Sequence, residues 1–294
     1  MIASHRTWPR AFPGVAFLVA LLPVGTGTFL HAQERPFPYA LGTRDLILAP
    51  AGIGLAVAGM ALRDAIDPIT WSEVARLDQD DVNGFDRTAT ENWSGAWADR
   101  SDAYRDLVVR PTFLLLGFEG AASLVKGRPR DAATLGVMLV ELYAYLAGTT
   151  YTTKALVKRK RPYVFNPDKT VDERFAIASS DGNEVYLSFF SGHAAAAFAA
   201  ATFTSTLVTD LFGTSIWSHL VWGSTHTVAV LAAYARVKAG QHYPSDVIVG
   251  AAVGSALGYL VPRLHRVDAD SPLDADGPVS VIAGPTGVSF RVRF

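Results

Sequence analysis

No cysteine occurs in the 294 residues, which removes disulfides, thiolate nucleophiles and Cys-ligated zinc from consideration. The chain is therefore indifferent to the redox state of its compartment. An excess of one charge is also missing: 26 Lys and Arg stand against 27 Asp and Glu, a formal net charge of −1. That balance excludes a general nucleic-acid binder, which needs surplus cations to displace counterions from phosphates, so any anion site has to be local. Strand signals are nearly absent before residue 279. Clean hydrophobic runs are scarce too, because the apolar stretch at 112–125 contains Glu119 and the one at 132–151 contains Glu141. Both fall short of the roughly 20 uninterrupted apolar residues of a simple membrane span. Half of the residues are nonetheless hydrophobic, enough for a sizeable core.

What is present begins with Arg6 and Arg10 ahead of an apolar stretch from Phe12 to Leu30, followed by Leu30-His31-Ala32 as a cleavage site. Residues 1–32 read as a secretory signal peptide, with an uncleaved anchor as the alternative, so the protein is expected in the bacterial cell envelope, facing the periplasm. Residues 33–106 form an N-terminal helical and polar segment. Within it, Pro36 and Pro38 mark a linker, and a helix near 46–62 carries Pro50, Gly52, Gly54 and Gly59, a composition that needs packing to stay helical. Short helices are expected through 63–106, where Trp71, Phe85, Trp93 and Trp97 punctuate an Asp-, Arg- and Asn-rich run. The core, 107–266, holds helical patterns near 107–125, 132–156, 192–212, 216–238 and 245–263. Residues 267–294 read as a linker and a β-hairpin, with Val288, Phe290, Val292 and Phe294 alternating with Ser289, Arg291 and Arg293 after a Gly-Pro-Thr-Gly turn. The expected class is all-α: a bundle of about six core helices with the site at one end, plus that short hairpin.

The basic turn Lys126-Gly127-Arg128-Pro129-Arg130 constrains topology. If a signal is cleaved and six segments cross a membrane, this turn lies outside, against the positive-inside rule. Leaving the glycine-rich 46–62 segment out of the count removes the conflict, and so does a soluble periplasmic bundle. Membrane-embedded and soluble forms both remain open.

Three clusters carry chemistry. Lys154 and Arg161 lie seven residues apart at the end of a helical pattern, with Pro162 directly after. Two helical turns put both cations on one face, Arg offering a bidentate fork and Lys a point charge to the same phosphate. Ser191-Gly192-His193 opens an alanine-rich helix: Ser191 can cap it, Gly192 admits close approach, and His193 sits where free N–H groups and the helix dipole attract an anion. Arg236, His242 and Asp246 form the third cluster. Pro244 marks a helix start, so His242 falls in the preceding loop and Asp246 in the first turn, where its carboxylate could fix the imidazole tautomer. His219, Trp222 and His226 read as a packed helix face.

These residues resemble the type 2 phosphatidic acid phosphatase superfamily, whose helical core is shared with bacterial class A acid phosphatases and vanadium haloperoxidases. The resemblance covers about residues 107–263. It implies His193 as nucleophile, His242 as acid/base and Asp246 as its orienting partner, with Lys154, Arg161, Ser191, Gly192 and Arg236 binding phosphate. Phe190 and Ala235 stand where the family often has Pro and Ser, and loss of the Ser hydroxyl could loosen Arg236. The resemblance implies a phosphatase working through a phosphohistidine, on monoesters or diphosphates and above all on lipid phosphates. It also implies no metal and no cofactor, since three side-chain cations supply the charge compensation, with vanadate entering only as an inhibitor. The alternatives are an acid phosphatase for soluble esters, a vanadate-dependent haloperoxidase, and a non-catalytic lipid-phosphate binder. The expected partners are a phosphorylated substrate and a membrane; no nucleic acid is expected, and the oligomeric state is open.

Overall fold

The computed structural model describes residues 36–267, 279–284 and 287–292; the signal-peptide reading of 1–32 lies outside them. Eight α-helices occur among the described residues. Six are long: α1 (Asp45–Asp64), α3 (Gly95–Val125), α4 (Pro129–Val157), α6 (Gly192–Phe212), α7 (Ile216–Lys238) and α8 (Pro244–His265). Two are short, α2 (Trp71–Val74) and α5 (Val171–Asp181). Beyond residue 267 the described backbone comprises two strands, β1 (Val279–Gly284) and β2 (Gly287–Val292), antiparallel with Val279 opposite Val292.

Local chemistry explains most helix ends. Ser94, Ser191 and Ser215 accept amide hydrogen bonds at the starts of α3, α6 and α7. Pro129 and Pro244 occupy the first turns of α4 and α8, where a missing N–H costs nothing. The helix expected at 107–125 starts twelve residues earlier, so the boundary drawn at 106/107 falls inside α3. Asp99, Arg100, Asp102, Arg105 and Asp106 made that stretch look like polar connection, yet Ser94 caps it and it continues unbroken into the apolar part.

Close backbone approach sets the bundle. Gly250, Gly254 and Gly258 line one face of α8, one turn apart. A Cβ at Gly250 would lie 2.5 Å from the Ser191 carbonyl oxygen, one at Gly258 2.5 Å from that of Ala199, and one at Gly254 would collide with that of Ala195. The alanine run of α6 meets this stripe. α1 packs on α4 in the same way: a Cβ at Gly148 would lie 2.8 Å from Leu55 Cγ, and one at Gly59 2.8 Å from the Thr152 amide nitrogen. Low helix propensity in α1 is thus offset by packing, and α1 belongs to the bundle rather than standing apart from it. Residues 37–40 clasp the end of α8 through Ala40 N to His265 O at 2.8 Å and Val267 N to Pro38 O at 2.9 Å.

The segments 65–94 and 158–191 fold together over one end of the helices. Their core includes Ile69, Val74, Val82, Ala89, Tyr163, Val185 and Leu187. Trp71 Nε1 donates to Asp172 Oδ1 at 2.8 Å, and Trp93 meets Tyr163 edge-on at 5.0 Å. Five helices, counting α4 with its continuation to Phe165, are long and apolar enough to cross a membrane. Their outward faces carry Ile47, Val57, Phe118, Val140, Ile248 and Leu260, all exposed.

Candidate active site

Chain direction alternates through the long helices, so the C-terminal turns of α4 and α7 and the N-terminal turns of α6 and α8 meet at one end. Lys154, in the last turn of α4, is buried and donates to the Leu187 carbonyl. Pro162 prevents the helix from continuing, and Arg161 adopts extended backbone with its guanidinium turned inward. Arg161 Nη2 donates to Glu184 Oε2 at 2.6 Å and Nη1 to Gln241 Oε1. Arg236, in the last turn of α7, shares Gln241 Oε1 through Nη2 at 3.5 Å. The Nε atoms of both arginines are buried without a hydrogen-bond partner. Gly192 closes the cage: a Cβ there would lie 3.2 Å from Thr150 Cγ2 and 4.0 Å from Lys154 Cε.

His242 arrives from the turn after α7. Gly240 has φ +71°, and a Cβ on it would collide with the Asn92 carbonyl oxygen, so only glycine fits this turn. The His242 ring is buried, and Nδ1–H donates to the Ser188 carbonyl oxygen at 2.8 Å. A carbonyl only accepts, so the proton stays on Nδ1 and Nε2 keeps its lone pair. Burial, reinforced by Lys154, Arg236, Arg161 and His193, holds this imidazole well below its usual range.

Asp246 does not hydrogen-bond His242 directly, contrary to the motif-based expectation; its Oδ2 lies 3.7 Å from Nδ1. That oxygen accepts instead from Ser188 Oγ at 2.5 Å and from the Tyr243 amide at 3.0 Å. The carboxylate orients His242 through Ser188, whose own carbonyl holds the ring. Asp246 Oδ1 takes Arg159 Nη1 at 2.6 Å, and Arg159 Nη2 reaches Asp86 Oδ2 at 2.7 Å. Asp86 also accepts the Ser245 amide at 3.0 Å and so caps α8. Although burial opposes it, hydrogen bonds from Arg159, Ser245 and Asn83 hold the Asp86 carboxyl below the usual range.

His193, in the first turn of α6, has a side chain 26% exposed. Its Nε2 lies 2.7 Å from Asp102 Oδ1 and 2.8 Å from Arg105 Nη1, with those two partners 3.3 Å apart. Ser191 is fully buried, and its amide donates to the Asp246 carbonyl at 3.0 Å, tying α6 to α8. All eight residues singled out from sequence therefore gather at this end of the bundle. Asp102, Arg105, Ser188 and Gln241 lie outside the three sequence clusters. Only the i, i+3 spacing of Asp102 and Arg105 on one helix face offered a signal, and it depended on recognising that α3 extends that far.

Fold and site together define a helical bundle with a cationic anion cage between two imidazoles. Residues 134–269 match the family model of the PAP2 superfamily, a phosphatase-type superfamily, and that segment is similar to it. The match takes in Lys154, Arg161, Ser191, Gly192, His193, Arg236, His242 and Asp246, but not Asp102 or Arg105. No curated protein and no solved structure matches the chain.

Proposed function

We propose that the protein is a phosphatase that moves a phosphoryl group from a lipid phosphate first to His242 and then to water. The observation that carries this reading is the convergence of three buried cations, two with unpartnered Nε–H donors, beside an imidazole whose tautomer leaves Nε2 nucleophilic. Lys154, Arg161, Arg236 and the Gly192 amide bind the non-bridging oxygens and stabilise the charge that builds on them. The His242 Nε2 lone pair forms the N–P bond as the P–O bond to the leaving group breaks, and His193 Nε2–H gives its proton to the departing oxygen. Water then attacks the phosphohistidine, its proton passing to His193 while the N–P bond breaks and inorganic phosphate leaves. Asp102 suits the protonated ring and Arg105 the deprotonated one, because one nitrogen cannot donate and accept at the same time.

This division exchanges the two histidine roles expected from the family resemblance. The reason is geometry: His242 is dry and anchored with its Nε2 lone pair free, whereas His193 is partly exposed and has a carboxylate at hydrogen-bond distance of Nε2. No metal or cofactor is needed, and vanadate should inhibit by occupying the same cage.

The lipid preference rests on the apolar outer faces of the long helices, which favour membrane association and bring the cage to one end of the spanning segments. Purified protein in mixed micelles should hydrolyse short-chain phosphatidate or an isoprenoid diphosphate at least tenfold faster than a nucleotide, and His242→Ala should abolish both activities. Equal rates on soluble and lipid substrates would sink the lipid assignment; full turnover by the His242 variant would sink the mechanism.

A further inference from the structure

At the other end of the bundle three buried ionisable side chains face one another. Asp45 opens α1, Glu141 lies near the middle of α4, and His265 closes α8. Asp246 and His265 are separated along α8 by about 28 Å at 1.5 Å per residue, so this group is independent of the catalytic cluster. His265 Nδ1–H donates to the Val261 carbonyl at 2.9 Å, which directs the other ring nitrogen inward. Nε2 stands 3.4 Å from Asp45 Oδ1 and 3.6 Å from Glu141 Oε2. Neither distance is a hydrogen bond.

His265 Nε2, Asp45 Oδ1 and Glu141 Oε1 are all buried without a hydrogen-bond partner. Asp45 Oδ2 accepts the Gly42 amide at 2.6 Å, which holds its carboxylate in place. The nearest other cation is Arg44, whose Nε lies 3.6 Å from Asp45 Oδ1 on a side chain 47% exposed. Two carboxylates and an imidazole buried together are costly unless a compact positive charge joins them. Atoms bound 2.0–2.1 Å from one tetrahedral ion lie about 3.3–3.4 Å from each other. The observed separations sit close to such ligand–ligand edges, and one donor atom from each residue falls within 4.8 Å of the others.

We propose that Asp45, Glu141 and His265 form a structural site for a divalent transition-metal cation, with Zn²⁺ the ion whose bond lengths fit best. The mixed nitrogen and carboxylate set suits Zn²⁺ and Mn²⁺ over Mg²⁺. The ion ties the start of α1 and the end of α8 to the interior of α4, joining segments about 220 residues apart in sequence. α1, rich in glycine, gains most from such a clamp.

The test uses tag-free, full-length protein in detergent, stripped with EDTA and titrated with ZnCl₂, with MnCl₂ and MgCl₂ as comparators. Metal content should reach one Zn²⁺ per chain, the melting temperature should rise by several degrees, and Co²⁺ should give the visible absorption of a ligated ion. Glu141→Gln and His265→Gln should each abolish all three responses. Wild-type protein that binds no Zn²⁺, or melts identically with and without it, overturns the proposal, as does stoichiometric Zn²⁺ retained by both variants. If neither variant folds, the wild-type stoichiometry and Co²⁺ spectrum decide the matter.

Discussion

At His242 a carbonyl that cannot donate fixes the proton on Nδ1, while burial and neighbouring cations keep the ring neutral. The kcat/KM profile should therefore show no loss as pH falls through 6.5, the ordinary imidazole value, because a nucleophile with a depressed pKa stays unprotonated there. The same depression has a stability consequence with a definite sign. Below pH 6.5 the unfolded imidazole takes up a proton that the folded one refuses, so stability falls as pH drops towards the folded-state value. An acid limb near 6.5 in the wild-type kcat/KM profile would contradict the neutral nucleophile. His193→Ala should slow hydrolysis of an alkyl phosphate by about 10²–10⁴ and that of p-nitrophenyl phosphate far less, since a good leaving group needs little protonation. Equal losses on the two substrates would remove His193 from the acid role. Asp246→Ala leaves Ser188 Oγ and the Tyr243 amide without their acceptor in a buried place and should cost about 1–3 kcal/mol, read as a lowered melting temperature.

Helix limits were largely legible because they rest on local chemistry: serine caps, proline in first turns, and glycine after last turns. α3 and α5 were the exceptions: α5 was not expected, and the charged first half of α3 resembled a connection and hid Asp102 and Arg105 with it. Which face of each helix meets its neighbour is a different matter. The α8 stripe of Gly250, Gly254 and Gly258 reads in sequence as poor helix former, and only the carbonyl oxygens of α6 beside it give it meaning. Gly254→Leu should push α6 and α8 apart, displace Ser191 relative to Asp246 and cost about 1–3 kcal/mol or more, with activity falling alongside the melting temperature. Gly223→Ala is the control: a Cβ there meets nothing within 4 Å, so it should be neutral or stabilise by up to about 1 kcal/mol. A Gly254 variant that keeps both activity and melting temperature would refute the tight crossing.

For the whole molecule, charge distribution bears on orientation. Arg44, Lys126, Arg128, Arg130, Arg263 and Arg266 belong to the helix ends remote from the cage; the cage end carries still more Lys and Arg, but the tight basic turn 126–130 favours placing the remote end in the cytoplasm and the catalytic end outside. A chain without cysteine makes this directly measurable. Gly84→Cys, beside the catalytic end, should react with a membrane-impermeant maleimide in intact spheroplasts. Val125→Cys, 89% exposed at the end of α3, should react only after lysis. This orientation also sets residue 44 inside, which a cleaved export signal ending near residue 32 does not deliver. The reverse labelling pattern would favour that signal and refute the orientation.

The sequence by itself determined the all-α class, the position of most helices and the choice of eight residues that lie together at one end, because caps, periodicity and motif spacing are short-range properties of the chain. Tertiary structure alone decided how those residues work. Ser188 rather than Asp246 touches the His242 ring, Asp102 and Arg105 meet His193, Arg159 bridges Asp86 to Asp246, and Asp45 and Glu141 face His265. Each of these contacts joins residues from 54 to 220 positions apart, and such pairings follow only from how the helices pack.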